Sequence, residues 1–401
     1  MSRVLTSLDE LAKLPPQPLL LLYSGGLDGT YFLKWAQNHT IRIVALRVAI
    51  GDGTNSFAEA NANYFGAEYI EIDASQEYYQ EFLPAAIHAD ALYQNMFPIS
   101  SSLTRPLIAR VACRAARERG IDCVGHTATW KQNSAVRLSA SLMAQDSDLV
   151  IASPFVRSHI PREAKLRSLQ EEGLDFCDDP YSIDTTPWAR VIESGPLEDP
   201  RVPPAEDVFR WTRPVENITA DSVEIRLKFD RGLPCGMNGE SASLEQIVNV
   251  LNDIAGLHGI GRYSGLEDTP FGFKSREVRE APAAAVILAG HKALANATIP
   301  PDEYSVRSYL ANEWTVLAVH GRWFSHLARC LRECLAALDV PVSGEVSILL
   351  QPGIANVRSV DAPGCFCHSS LAMPLDEAIA SFDVGPWLAM RSLSDMHTRE
   401  I

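Results

Sequence analysis

The chain has 401 residues, 46% hydrophobic and 21% charged, which fits a folded protein of two or three domains and excludes a disordered or fibrous one. Its formal net charge of −15 argues against a broad phosphate-tracking face, so no nucleic-acid partner is expected. No apolar run approaches the roughly 18 residues of a membrane helix, and no secretion signal is read at the N-terminus, so a cytoplasmic protein without a membrane partner is expected.

The first 175 residues alternate strand and helix. Leu19 to Tyr23 is a continuous apolar run, followed by glycines and a helix from about Thr30. Ile41 to Val48 is the next strand; a helix of small residues then runs to Gly66, before a strand at Tyr69 to Ile72. A helix is predicted over 107–119, set between Pro106 and Gly120, with Leu107, Ile108, Val111, Ala112 and Ala115 on one face. Cys123-Val124 and Leu149 to Ile151 are short strands. This order predicts an α/β fold with a doubly wound parallel sheet.

Pro180, Pro187, Pro196, Pro200, Pro203 and Pro204 mark a linker. The expected divisions are 1–175, an α+β domain over 176–375, and a terminal helix and tail over 376–401. In the second domain Val223 to Phe229 alternates strictly, as a half-buried antiparallel strand does. Ser243 and Gln246 form a capping box for a helix buried through Leu244, Ile247, Val248, Leu251 and Ile254 and ended by Gly256. Further helices are predicted over 283–295 and 324–338, the latter with Cys330 and Cys334 in one apolar pattern with Phe324, Leu327, Leu331 and Leu338. Glu345 to Leu350 is another strand. Trp387, Met390 and Leu393 have helical spacing after Pro386, and predict a terminal helix that docks on its own subunit or on another. Eight cysteines without a signal peptide give no disulfide framework. Cys365, Cys367 and His368 lack a fourth ligand and the usual cysteine gap, so no metal is expected there.

The chemistry is carried by Tyr23-Ser24-Gly25-Gly26-Leu27-Asp28-Gly29-Thr30, a turn between a buried strand and a helix. Glycines let the backbone approach a ligand, and free N–H groups at a helix start attract an anion. Asp28 would repel bare phosphate, so Mg²⁺ between them is expected. No Gly-Lys-Ser/Thr ending follows, so this is not a Walker loop. The Ser-Gly-Gly-x-Asp string is the signature of enzymes that cleave ATP to AMP and pyrophosphate.

Six segments in order resemble the argininosuccinate synthase family: 23–30, 91–106, 126–137, 181–200, 252–262 and 272–283. The resemblance implies a nucleotide-binding domain, a synthetase domain and a helix reaching across a homotetramer. It implies an ATP-dependent, AMP-forming ligase acting on small amino-acid-like substrates. It assigns Ser24, Gly25, Gly26 and Asp28, with their neighbours in the loop and Val48, His126 and Lys131, to ATP. Thr129, Asn133 and Ser134 match amine-donor positions. Phe97, Ser101, Ser102, Arg105, Asn133, Arg137, Ser182, Val191, Glu267 and Arg279 match positions around the acceptor. Asp28, Asn133 and Arg137 are the expected catalytic residues. Asn133 and Arg137 lie four apart on one helix face, with Val136, Ala140 and Met143 as an adjoining core-facing stripe.

The departures from the family pattern cluster at substrate contacts. Phe97 and Val191 each lack a hydroxyl that the family carries, and Ser134 replaces an acid. Arg279 replaces a tyrosine; it would select an acceptor with a carboxylate or phosphate, or else pair with Glu280 or Glu267. Trp130 and Gln132 replace glycines, so the loop around them is expected to run differently. The expectation is retained ATP chemistry with changed substrates; the alternatives are ordinary argininosuccinate formation from citrulline and aspartate, and a catalytically inactive nucleotide-binding scaffold.

Overall fold

The computed structural model describes residues 3–365 apart from 52, 131, 175, 177–179, 220, 270 and 271, together with 383, 385, 386 and 390. Trp387, Leu393, Cys367 and His368 lie outside the described residues. In chain order the first half holds β1 (Arg3–Leu5), α1 (Leu8–Ala12), β2 (Leu19–Leu22), α2 (Leu27–Asn38), β3 (Ile43–Ala49), α3 (Ser56–Tyr64) and β4 (Glu68–Asp73). Then come α4 (Ser75–Glu77), α5 (Leu83–His88), β5 (Leu92–Tyr93), β6 (Phe97–Pro98), α6 (Ser101–Arg119), β7 (Cys123–Gly125), α7 (Asn133–Gln145), β8 (Val150–Ala152) and α8 (Arg162–Gln170).

Six of these strands form a parallel sheet in the order β1-β8-β7-β2-β3-β4. The central strands β2 and β3 present apolar residues to both sides because each side is covered. Leu19, Leu21, Ile43 and Ala45 pack with α2, α3 and α8, whereas Leu20, Val44, Leu46 and Val124 pack with α6 and α7. The strand order reverses at β2, between β7 and β3, so the turn after β2 opens at the crevice where such sheets bind ligands. The α6 helix begins at Ser101, six residues before its predicted start, and carries Pro106 inside. Its first turn is held by packing: Ser102, Leu103 and Thr104 are buried. It ends as predicted on Gly120, whose φ is +63°.

The second half holds β9 (Ser182–Thr185), β10 (Arg190–Glu193), β11 (Val223–Asp230), β12 (Leu233–Met237), β13 (Glu240–Ser241), α9 (Leu244–Leu257), β14 (Arg262–Asp268) and β15 (Lys274–Glu280). These are followed by α10 (Pro282–Thr298), α11 (Pro301–Val319), α12 (His326–Leu338), β16 (Gly344–Gln351) and β17 (Ile354–Asp361). One antiparallel sheet runs β13-β12-β11-β16-β17 and a second runs β14-β15-β10-β9. The proline-rich stretch is thus more than a linker, since it supplies β9 and β10 to the second sheet. The Ser243–Gln246 capping box forms. Helix α9 continues one residue past Gly256, which is glycine because a Cβ there would lie 2.1 Å from the Trp211 carbonyl oxygen.

Two predicted stripes are offset. On α12 the buried residues are Ala328, Leu331 and Leu335, while Leu327, Cys330 and Cys334 are exposed. On α7 Val136 and Met143 are exposed, and Ala135, Arg137, Leu138, Ser141 and Leu142 face inward. On α7 the offset arises because small and polar residues, Ala135, Arg137 and Ser141, fill part of the contact. No disulfide forms among the described cysteines. No helix of the described residues is long and apolar enough to cross a membrane.

A buried ionic network ties the two halves. Arg307 donates to Asp90 (2.8 Å) and Asp339 (2.6 Å); His291 bonds Asp90 (2.7 Å) and Asp339 (3.1 Å); His88 bonds Asp339 (2.8 Å). Three of these side chains, His88, His291 and Asp339, converge as metal ligands would. Arg307 already holds both oxygens of Asp339, and charge balance keeps His291 protonated, so the cluster reads as an internal salt bridge. Burial alone would lower the His291 pKa, but Asp90 and Asp339 outweigh it and raise it from 6.5 to about 9. The folded value lies above the unfolded one. The contribution is therefore complete below about pH 6.5 and is lost as pH rises through 9. Urea unfolding across this window should show wild type losing roughly 3 kcal/mol relative to His291→Gln. Parallel profiles for the two proteins would reject this assignment.

Candidate active site

The Ser24–Asp28 turn leaves the buried Leu19–Leu22 strand and enters α2. Gly25 has φ +85° and a Cβ there would sit 2.9 Å from that of Ala58, so this position demands glycine. Gly26 is the N-cap of α2 and offers no side-chain cap, so the first-turn N–H groups are left for a ligand. Thr30 closes the turn from within; its hydroxyl donates to the Gly26 carbonyl (2.9 Å) and pairs with the Tyr23 hydroxyl (2.8 Å). Asn55, the N-cap of α3, donates to the Ser24 carbonyl at 3.4 Å.

A cavity of about 630 Å³ opens over this turn, within the size range of small-molecule sites. Its walls are the ends of β2, β3 and β7. Of the residues matched to ATP, Tyr23, Ser24, Gly26, Leu27, Asp28, Gly29, Val48 and His126 line it. Gly25 and Thr30 lie behind the wall, and Lys131 lies outside the described residues. His126 is buried and neutral, since burial pushes its pKa down to about 4. Its Nε2 meets Ser139 at 2.9 Å and its Nδ1 has no partner among the described residues.

Asp28 is not free to act as a plain metal ligand. Its Oδ1 accepts from Lys165 Nζ at 2.8 Å. The other carboxylate on the described cavity wall, Asp184, is bonded to Arg105 at 2.8 Å. This donor set does not fit a Mg²⁺ held by the protein alone.

The acceptor-matched residues come together by strand alternation. Ser182 and Asp184 on β9, Val191 and Glu193 on β10, Ser275, Glu277 and Arg279 on β15, and Tyr263, Gly265 and Glu267 on β14 are cross-strand partners and share one sheet face. Helix α7 lies over that face. Asn133 donates to Glu267 Oε2 (2.6 Å) and the Asp268 carbonyl (2.8 Å). Arg137 donates to Glu267 Oε1 (3.0 Å), Ser101 Oγ (2.7 Å) and the Val319 carbonyl (2.7 Å). Arg105, Ser134 and Ser182 line the cavity itself, with Ser134 Oγ accepting from Arg105 Nε at 3.3 Å. Ser102 is buried in the first turn of α6. Thr129 lies in the loop before α7, where its N–H meets Gln132 Oε1 at 3.3 Å.

Arg279 differs from expectation. Its guanidinium is buried, donates to Glu277 (3.0 Å) and to the Pro98 carbonyl (2.6 Å), lies 3.5 Å from Glu267, and stacks 4.0 Å over the Phe97 ring. It is a wall of the site and not an open anion receptor. Glu280 is excluded as its partner because residues 279 and 280 point to opposite faces. The loop before α7 also needs no glycine, since neither Trp130 nor Gln132 has a positive φ. Trp130 instead donates from its indole to His159 at 3.2 Å.

Three glutamates share this buried space with two arginines. Burial raises Glu277 to about 8, with Arg279 opposing and Glu267 and Glu193 reinforcing the rise. Burial and the neighbouring Glu267 and Asp184 raise Glu193 as well. Burial works to raise Glu267 too, but Arg137 and Arg279 together hold it below the ordinary range. The carboxyl held low is thus Glu267, between Arg137 and Arg279, while those of Glu277 and Glu193 are pushed up. Sequence reading missed Glu193, Glu277, Arg162 and Lys165. The alternation of Ser275, Glu277 and Arg279 was the signal for Glu277, and the three-residue spacing of Arg162 and Lys165 was the signal for α8.

Comparison with known proteins agrees with this geometry. Residues 18–175 match the arginosuccinate synthase N-terminal HUP domain, and residues 181–390 match the arginosuccinate synthase C-terminal domain. An argininosuccinate synthase of Pyrobaculum aerophilum is 34% identical over 394 residues, 95% of this chain and 99% of the relative. The argininosuccinate synthase of Dictyoglomus thermophilum is 33% identical over 94% of both chains. That of Lactococcus lactis is 34% identical over 84% of this chain and 86% of the relative. A parallel sheet with an open glycine turn at its crevice, joined to two domains matched almost end to end, places the chain in the argininosuccinate synthase family of ATP-dependent carbon–nitrogen ligases.

Proposed function

We propose that the chain adenylates a ureido- or carboxylate-type acceptor and joins it to an amine donor such as aspartate or an analogue. The observation that carries this reading is the junction of two surfaces. The cavity over the Ser24–Asp28 turn is bounded by Ser182 to Thr186, and these residues begin the polar sheet face that α7 covers. An acceptor on that face is thereby close to the α-phosphate of a nucleotide in the cavity. An acceptor oxygen attacks the α-phosphorus, the bond to the bridging oxygen of the β-phosphate breaks, and pyrophosphate leaves. The donor nitrogen then attacks the activated carbon, AMP leaves with the carbon–oxygen bond electrons, and the nitrogen loses a proton. The first turn of α2 receives the pyrophosphate charge, and Asn133 and Arg137 orient the acceptor through Glu267.

Substrates other than citrulline and aspartate fit the departures best. Phe97 and Val191 offer no hydroxyl, Ser134 is bonded to Arg105, and Arg279 is fully engaged with protein groups. A second reading, argininosuccinate formation, is favoured by the names of relatives that match nearly the whole chain. Pyrophosphate release should be slow with citrulline and aspartate and fast with a ureido or carboxylate acceptor of different shape. Robust conversion of citrulline and aspartate to argininosuccinate would overturn the changed-substrate reading and leave the ligase intact. A homotetramer, proposed from the same kinship, would be seen by light scattering as four 44.0 kDa chains.

A further inference from the structure

A turn that receives polyphosphate carries a carboxylate of its own. Asp28 stands in the first turn of α2 and lines the cavity, where it opposes an incoming anion unless something neutralises it. The neutralising group comes from α8. Lys165 Nζ lies 2.8 Å from Asp28 Oδ1, and its side chain is 5% exposed against 37% for Asp28. The ammonium also sits 4.2 Å over the Phe155 ring, a desolvated cation–π position. Helix α8 packs on α2 and presents Arg162 to the cavity wall, with Lys165 one turn further along. A buried ammonium is costly unless paired, and the carboxylate that pairs it belongs to the nucleotide turn.

We propose that Lys165 is the positioning residue of this turn. It neutralises Asp28, holds its carboxylate at the cavity wall, and so lets polyphosphate approach the first-turn N–H groups. This rests on the reading of Ser24–Asp28 as the pyrophosphate site. It adds to the expectation of Mg²⁺ between Asp28 and the phosphates, since Lys165 holds only Oδ1 of the carboxylate.

The test is calorimetric binding of a non-hydrolysable ATP analogue and of AMP, each with and without Mg²⁺. Lys165→Met should weaken the analogue at least tenfold and AMP less than twofold, since only the analogue brings β- and γ-phosphates to Asp28. Lys165→Arg should restore most of the affinity. Asp28→Asn placed on Lys165→Met should restore it as well, because the charge that Lys165 offsets is then gone; this neutral pair reads the proposal even where Lys165→Met alone folds poorly. Equal losses for analogue and AMP, unchanged analogue binding, or a double variant as weak as Lys165→Met would each overturn it. Gly26→Glu separates the underlying reading. The Gly26 backbone suits any residue and its nearest neighbour is 3.6 Å away, so the variant folds and places a carboxylate on the turn. Normal analogue binding by Gly26→Glu overturns the pyrophosphate site itself. Loss in Gly26→Glu with normal binding in Lys165→Met overturns only the role of Lys165.

Discussion

Glu280→Ala is expected to lower the free energy of unfolding by on the order of 5 kcal/mol or more, a large part of what holds an ordinary domain. Glu280 is completely buried and accepts from Arg190 Nη1 (2.8 Å), the backbone N–H groups of Arg210 (3.0 Å), Trp211 (2.8 Å) and Thr212 (2.9 Å), and the Thr212 hydroxyl (2.8 Å). Alanine leaves Arg190 buried without its carboxylate and three backbone donors without an acceptor. Each orphan costs about 1–3 kcal/mol, and water reaches few of them. The damage should be local first, with 206–212 released from β15. Urea midpoints give the size, and limited proteolysis shows whether that segment is cut first. A loss under about 1 kcal/mol would show that the segment holds itself.

Arg137→Lys is expected to cut acceptor-dependent pyrophosphate release about a thousandfold while leaving ATP binding unchanged. The guanidinium reaches Glu267, Ser101 and the Val319 carbonyl in three directions at once, which a single ammonium cannot do. Losing two charge-assisted hydrogen bonds at roughly 1.5–3 kcal/mol each gives that magnitude. Arg137 does not line the nucleotide cavity, so calorimetry with an ATP analogue distinguishes a lost acceptor site from a collapsed fold. A proportional fall in nucleotide affinity would mean that Arg137 holds the two halves together instead of serving the acceptor.

The parallel sheet was legible because its strands are buried on both sides and spell themselves as apolar runs, such as Leu19 to Leu22. The turn after it was legible because only glycine fits at position 25. Strands β14 and β15 were not, since one face of each is the polar site face, and Arg-Tyr-Ser-Gly-Leu-Glu-Asp has no apolar period to detect. Helix α11 was missed for a related reason: its apolar residues run around the cylinder, from buried Trp314 to exposed Tyr309. Family likeness named Asn133, Arg137, Glu267 and Arg279, but only tertiary geometry showed that Arg279 is bonded to Glu277. The pairing of Lys165 was invisible because its carboxylate partner is 137 residues away, in another element.

Strand β15 carries two sets of duties on alternate residues. Ser275, Glu277 and Arg279 face the site, while Val278 packs into a small apolar core and Glu280 anchors 210–212. Neighbouring residues thus answer to different physical demands. Exchanges at the odd positions can retune which molecule is recognised while the even positions preserve the scaffold. Because Glu277 and Arg279 are a buried, bonded pair, retuning this strand calls for paired exchanges at the odd positions.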